Sequence, residues 1–226
     1  MAKVKNAGII QVLADAGLRR DVTVLDVGCG SGGLLEQLAN CGFKYLAGVD
    51  PFVPEGTVTQ SNVKISRKFF KEIDQPHDII MFNHSLEHVP DPVGDLLHAS
   101  ELLPVGGLCI IRIPTPSSEL WCKYGHNWIQ LDAPRHIFLP SRVGIAKLAE
   151  RTGFLLEKSI DDSSEFGFWG SELYQIDVPL RSSSGQVNNP IKYFGSEKMA
   201  LWKNLSKDLN SRNRGDQAAF VLRKGR

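Results

Sequence analysis

The run Val24-Leu25-Asp26-Val27-Gly28-Cys29-Gly30-Ser31-Gly32-Gly33 constrains this chain more than any other. A stretch of β-formers over 22–27 passes into a glycine cluster, which passes into the helical pattern Leu34-Leu35-Glu36-Gln37-Leu38-Ala39. Strand, glycine turn, helix is the unit by which a doubly wound α/β sheet brings its backbone up to a nucleotide-like ligand. Gly28, Gly30 and Gly32 are expected at positive φ, with no Cβ between main chain and ligand. The N–H groups opening the next helix are free to hold an anionic group.

The glycines alone do not choose the ligand, because Gly28, Gly30 and Gly33 also satisfy the dinucleotide pattern. Asp26, two residues before the first glycine, bears on the choice. A carboxylate there repels a pyrophosphate and attracts an ammonium. S-adenosylmethionine carries an ammonium, a sulfonium and one carboxylate, and no phosphate. Asp50 and Pro51 end a second strand over 45–49, roughly twenty residues on, where an acidic side chain accepts hydrogen bonds from ribose hydroxyls. NAD contains the same ribose, so Asp50 indicates a nucleoside without naming it. Phe52 follows, placed to flank the adenine or simply to pack.

The remaining pattern predicts an amphipathic helix over 5–16 closed by Gly17, a poor edge strand together with its exit over 63–70, and a buried strand over 78–82. A helix over 93–103 with Asp91 as N-cap, a strand over 108–113, a helix through 151 capped by Ser141, and strands over 154–160 and 218–222 follow. The expected architecture is a single α/β domain over 1–226. Its sheet is doubly wound, mostly parallel and seven-stranded, with an antiparallel last strand. Cap insertions are expected near 115–140 and 163–215, the second partly helical over 196–209.

A net charge of +1 with no concentrated basic face argues against nucleic acid as the partner. Gln11 and Asp15 interrupt the apolar run near the start, which reads as a helix and not a signal peptide, and no stretch is long enough to span a membrane. Cys29, Cys41, Cys109 and Cys122 lack CxxC or ligand spacing, so a reduced, cytoplasmic setting is expected. The six histidines show no ligand rhythm, and no metal site is expected from spacing.

With glycine loop, ribose acid and fourth-strand exit in view, the chain resembles the class I S-adenosylmethionine-dependent methyltransferases. The resemblance rests on LDVGCGSGG, GVDP, DIIMFNHSLEHVPDP, LLPVGGLCIIRIP, LDAPRHIF and GDQAAFVL. The LEHVPDP element is similar to ubiquinone-pathway O-methyltransferases; LDAPRHIF and GDQAAF are similar to relatives from bacterial surface-polysaccharide clusters. The resemblance implies that Gly28, Gly30 and Gly32 back the methionine part, that Asp26 reaches its amine, and that Asp50 holds the ribose. It places Asn83 and His84 against the cofactor, where the site opens to the acceptor. The family's usual acid near the third strand's exit is absent, with Lys68, Phe69 and Phe70 in its place.

The expected acceptor is a small molecule, such as a hydroxyl of a sugar or nucleotide-sugar. C- or N-methylation of another metabolite and an NAD-dependent oxidoreductase stand as alternatives. An alcohol must lose its proton as the bond to carbon forms, which suits histidine. His84 and His136 are the candidates, and His88 reads as structural. Arg135 could bind an anionic acceptor or a surface carboxylate. Trp121, Tyr124, Trp128, Phe166, Phe168, Trp169 and Tyr174 could serve a ring acceptor beside Asp132, Glu172 and Gln175, or form the cap's own core.

Overall fold

A computed structural model describes residues 7–15 and 19–226. Lys5, Ala16 and Gly17 of the expected first helix lie outside the described residues. In chain order the elements are α1 (Ala7–Asp15), β1 (Thr23–Val27), α2 (Gly33–Asn40), β2 (Tyr45–Val49), β3 (Ile65–Ser66) and β4 (Ile79–Asn83). Then come α3 (Pro92–Leu102), β5 (Leu108–Pro114), α4 (Glu119–Tyr124), α5 (Arg142–Arg151), β6 (Phe154–Asp161), α6 (Phe166–Gln175), α7 (Pro190–Ser211) and β7 (Gln217–Lys224).

The seven strands form one sheet in the order β3-β2-β1-β4-β5-β7-β6. β1 to β5 run parallel, and β7 runs antiparallel to both β5 and β6. Successive strand residues point to opposite faces, and both faces are covered. Leu25, Ile80, Phe82, Ile111 and Phe220 pack with Leu96 and Ala99 of α3 and Ile145 and Leu148 of α5. Val24, Ile79, Met81, Ile110 and Val221 pack with Ile9 and Leu13 of α1 and Leu34 and Leu38 of α2. Sheets buried on both sides read as continuous apolar runs, which is why β4 and β5 were legible.

Most element bounds differ from expectation by a residue or two, and three regions differ in ways that matter to the site. Within 63–70, expected to hold the third strand and its exit, the strand itself is only Ile65–Ser66, because the lysines and arginine of this edge face water. The chain then turns at Phe70–Glu72, where the Glu72 carboxylate accepts from the Phe69 N–H at 2.6 Å. The cap insertion expected near 115–140 contains α4, started by Ser118 Oγ accepting from the Trp121 N–H. The last strand reaches from Gln217 to Lys224, since both its neighbours continue to pair with it.

A separate cluster, Leu120, Tyr124, Trp128, Phe168, Trp202 and Leu209, joins α4, α6 and α7 into a cap. α7 breaks at Gly195, whose φ of 74° no helix accommodates. Among the described residues no helix is long and apolar enough to cross a membrane.

Candidate active site

Three strand exits converge at the carboxyl edge of the sheet. The Gly28 N–H donates to the Val49 carbonyl at 2.8 Å, the Gly30 N–H to Asp50 Oδ2 at 2.9 Å, and Ser85 Oγ to the Val27 carbonyl at 2.6 Å. The glycine loop is thus tied to the ends of both β2 and β4. At Gly28, with φ of 69°, an added Cβ would come within 2.5 Å of the Ser85 Cβ, so only glycine fits. Gly30 and Gly32 also take positive φ, as expected.

Asp26 is buried beneath this loop, and its Oδ1 has no hydrogen-bond partner among the described residues. Burial, reinforced by the nearby Asp50 charge, pushes its carboxyl up to about 8. An orphaned buried carboxylate is costly, and a cation brought to it relieves the cost. Asp50 is held by two backbone donors, the Gly30 N–H on Oδ2 and the Phe52 N–H on Oδ1 at 2.8 Å. Each oxygen keeps a lone pair for a hydroxyl.

A cavity of about 590 Å³ opens here. Gly28, Asp50, Pro51, Phe52, His84 and Ser85 line one part; Phe69, Phe70 and Val89 form its apolar wall, with Asp91, Asp95, Lys68 and Lys71 as polar groups. Phe52 is 89% exposed and forms the rim. Asp26, Gly30, Gly32 and Asn83 are not among the residues that line it. Asn83 Oδ1 accepts from Arg112 Nη1 at 3.2 Å, and Arg112 is paired in turn with Asp162.

A second cavity of about 110 Å³ adjoins the first, and His84 and His88 line both. His84 takes φ of 54°, a conformation that non-glycine residues adopt at a cost and that aims its ring at the junction. Its Nδ1 lies 3.3 Å from Glu87 Oε1. His136 comes in from the other wall, its Nδ1 donating to the Gln130 carbonyl at 2.7 Å while Nε2 stands 4.0 Å from Glu87 Oε1 and 3.8 Å from Asp132 Oδ2. His88 Nδ1 meets the Arg135 carbonyl at 2.9 Å, and the His88 and His136 rings lie 4.9 Å apart. Arg135 pairs with Asp132 at 2.6 Å.

The aromatics divide. Phe166 and Tyr174 line the second cavity. Trp128, Phe168 and Trp202 are buried in the cap core, and Glu172 is taken up by Tyr124, Lys123 and Lys198.

Glu87 and Asp216 were invisible as site residues in the sequence. Glu87 is wholly buried, its Oε2 has no partner, and its backbone carbonyl accepts from the N–H groups of Ile137 and Phe138. Its signal was a glutamate between leucine and histidine, indistinguishable from a surface turn. Asp216, also buried, accepts from Trp128 Nε1 at 3.0 Å and so fastens the cap to the start of β7.

A family model described as "Methyltransferase domain" matches residues 2–159. A ubiquinone biosynthesis O-methyltransferase of Nitrosospira multiformis is 31% identical over 156 residues, 61% of this chain and 64% of that protein. The match therefore spans less than two thirds of the relative's length. Among solved structures, a SAM-dependent methyltransferase from Archaeoglobus fulgidus superposes with a TM-score of 0.56 at 20% identity, covering 95% of this chain and 94% of that one. Mycolic acid cyclopropane synthase, solved with SAH, gives 0.59 at 17% identity over 96% and 84%. At such identities the likeness speaks to the fold.

Proposed function

Since the chain belongs to the methyltransferase domain family, we propose that it moves the methyl group of S-adenosylmethionine to a hydroxyl of a small ring-bearing acceptor, a sugar or nucleotide-sugar first among them. The observation that carries this reading is the buried carboxylate of Asp26, orphaned beneath the glycine loop and beside the Asp50 site. It suits a ligand that brings an ammonium and suits a pyrophosphate poorly. The ubiquinone-pathway relatives, named as O-methyltransferases, support oxygen as the accepting atom.

When bound, S-adenosylmethionine supplies a methyl already activated for in-line displacement. The chain's own residues align and deprotonate. Asp26 holds the amine, Asp50 the ribose hydroxyls, Pro51 and Phe52 the nucleoside edge, and the loop carrying Gly28, Gly30 and Gly32 gives the methionine end its backbone wall. Such alignment supplies on the order of 7–11 kcal/mol of a barrier. His84 stands where the two cavities meet, its Nδ1 facing Glu87 and its Nε2 left to take the acceptor's proton. His136, Tyr174 and Phe166 frame the acceptor, giving a ring both apolar faces and polar edges. Asn83, held by Arg112, fixes the end of β4 from which His84 projects.

Calorimetric titration with S-adenosylmethionine, S-adenosylhomocysteine and NAD tests the cofactor half. Micromolar binding of the adenosyl ligands, lost in Asp50→Ala, is the expected result. Binding of NAD alone refutes the reading. Methyl transfer from labelled cofactor to a panel of sugars and nucleotide-sugars, with phenols in parallel, then tests the acceptor.

A further inference from the structure

We propose that Glu87, His88 and His136 bind one divalent ion of the zinc, manganese, iron or cobalt class, at the wall of the second cavity. The proposal deepens the reading of that cavity as the acceptor pocket.

The three side chains come from two segments forty-eight residues apart, and one ligand atom from each lies within 4.8 Å of the others. Both rings are already oriented as metal-binding imidazoles are. A backbone carbonyl only accepts, so the Arg135 carbonyl fixes a proton on Nδ1 of His88 and the Gln130 carbonyl fixes one on Nδ1 of His136. Each Nε2 is left with its lone pair, and anchoring of the far nitrogen is the usual support of a histidine ligand. Glu87 supplies the third atom. It is fully buried, Oε1 faces His84, and Oε2 has no hydrogen-bond partner among the described residues. The His136–Glu87 separation of 4.0 Å is too long for a hydrogen bond, so the two are brought together without satisfying each other.

A cation resolves this. It takes both nitrogens and neutralises the buried carboxylate, which no neighbouring lysine or arginine reaches among the described ion pairs. Two nitrogens and one oxygen favour a transition ion over magnesium or calcium, which select oxygen donors. A tetrahedral ion with bonds of about 2.0–2.1 Å needs its ligand atoms roughly 3.3 Å apart, so the rings close inward by about an ångström. Three protein ligands would leave a position open, and since all three residues line the second cavity an acceptor oxygen there could take it.

The test uses the full chain, stripped with chelator and titrated with Co²⁺ while visible absorption and heat are recorded. The expected result is one Co²⁺ per chain with a d–d band, displaced by Zn²⁺. Glu87→Gln and His136→Ala should each weaken binding by at least about tenfold, while His126→Ala, on an exposed turn elsewhere, leaves it unchanged. His136→Ala keeps the test valid if removing the Glu87 charge disturbs folding, which thermal unfolding reports. Absence of stoichiometric binding, or binding retained in both variants, overturns the proposal. S-adenosylhomocysteine binding to the same stripped sample separates the two readings. Its failure removes the methyltransferase reading and leaves the ion site standing, whereas Co²⁺ failure alone removes the ion site.

Discussion

Asp26 makes cofactor binding a proton-release reaction. With its carboxyl at about 8, roughly nine in ten molecules are protonated there at pH 7. An ammonium seated against Oδ1 demands the ionised form, so binding at pH 7 should expel about 0.9 proton, and affinity for S-adenosylhomocysteine should rise about ninefold from pH 6 to 7. Titration calorimetry in two buffers of different ionisation enthalpy measures the proton directly. The sign for stability is opposite. The folded carboxyl stays protonated while the unfolded one ionises near 3.8, so the unliganded protein loses stability as pH rises from about 4 to 8. Asp26→Asn should therefore flatten the pH dependence of both quantities, bind the ligand more weakly by about 1.5–3 kcal/mol, and melt no lower than the parent at pH 8. Proton release near zero, or an unchanged pH profile in Asp26→Asn, would refute the reasoning.

Asp50 raises the Asp26 carboxyl through its charge, so Asp50→Asn should move the proton-release profile toward lower pH as well as weakening ribose binding, both read by the same calorimetry. His84→Asn, which tolerates the positive φ, should keep cofactor affinity and lower kcat by about 10²–10⁴, measured with an identified acceptor. Trp128→Phe leaves the buried Asp216 carboxylate with Ser163 but without its indole donor and should cost about 1–3 kcal/mol in urea unfolding. In thiol mapping by mass spectrometry, exposed Cys122 should be alkylated first; Cys29, its thiol pushed up to about 12 by burial and by Asp26 and Asp50, should resist, as should Cys109 in the core.

The cofactor half of the site was legible because it is local. Asp26, Gly28, Gly30 and Gly32 lie within seven residues of one another, and their chemistry depends on one strand, one turn and one helix. Asp50 was found because β2 lies beside β1, a placement that the doubly wound fold dictates. The acceptor half depends on contacts between distant segments. Glu87 matters only because Ile137 and Phe138 bind its carbonyl and bring His136 alongside, and histidine spacing in the sequence says nothing of that. The same reason explains the split among the aromatics: Trp128 and Tyr174 are alike as letters, and only the packing of α4, α6 and α7 sends one inward and the other to the cavity. Where in 63–70 the third strand gives way to its exit was not legible, because its charges and apolar residues permit a strand of any length and only its single neighbour decides where pairing stops.

The position of β7 carries a consequence for how the chain is made. The strand nearest the end of the sequence is not at the sheet's margin but between β5 and β6. During synthesis those two strands must wait, each with an open edge of N–H and C=O groups, until residues 217–224 emerge to fill the slot. Open edges of this kind recruit other chains. A ribosome stalled before residue 217, or a truncation there, should yield a chain that holds its glycine loop and β1–β4 pairing within reach but aggregates through the unfilled slot, so that expression fails through self-association before any question of catalysis arises.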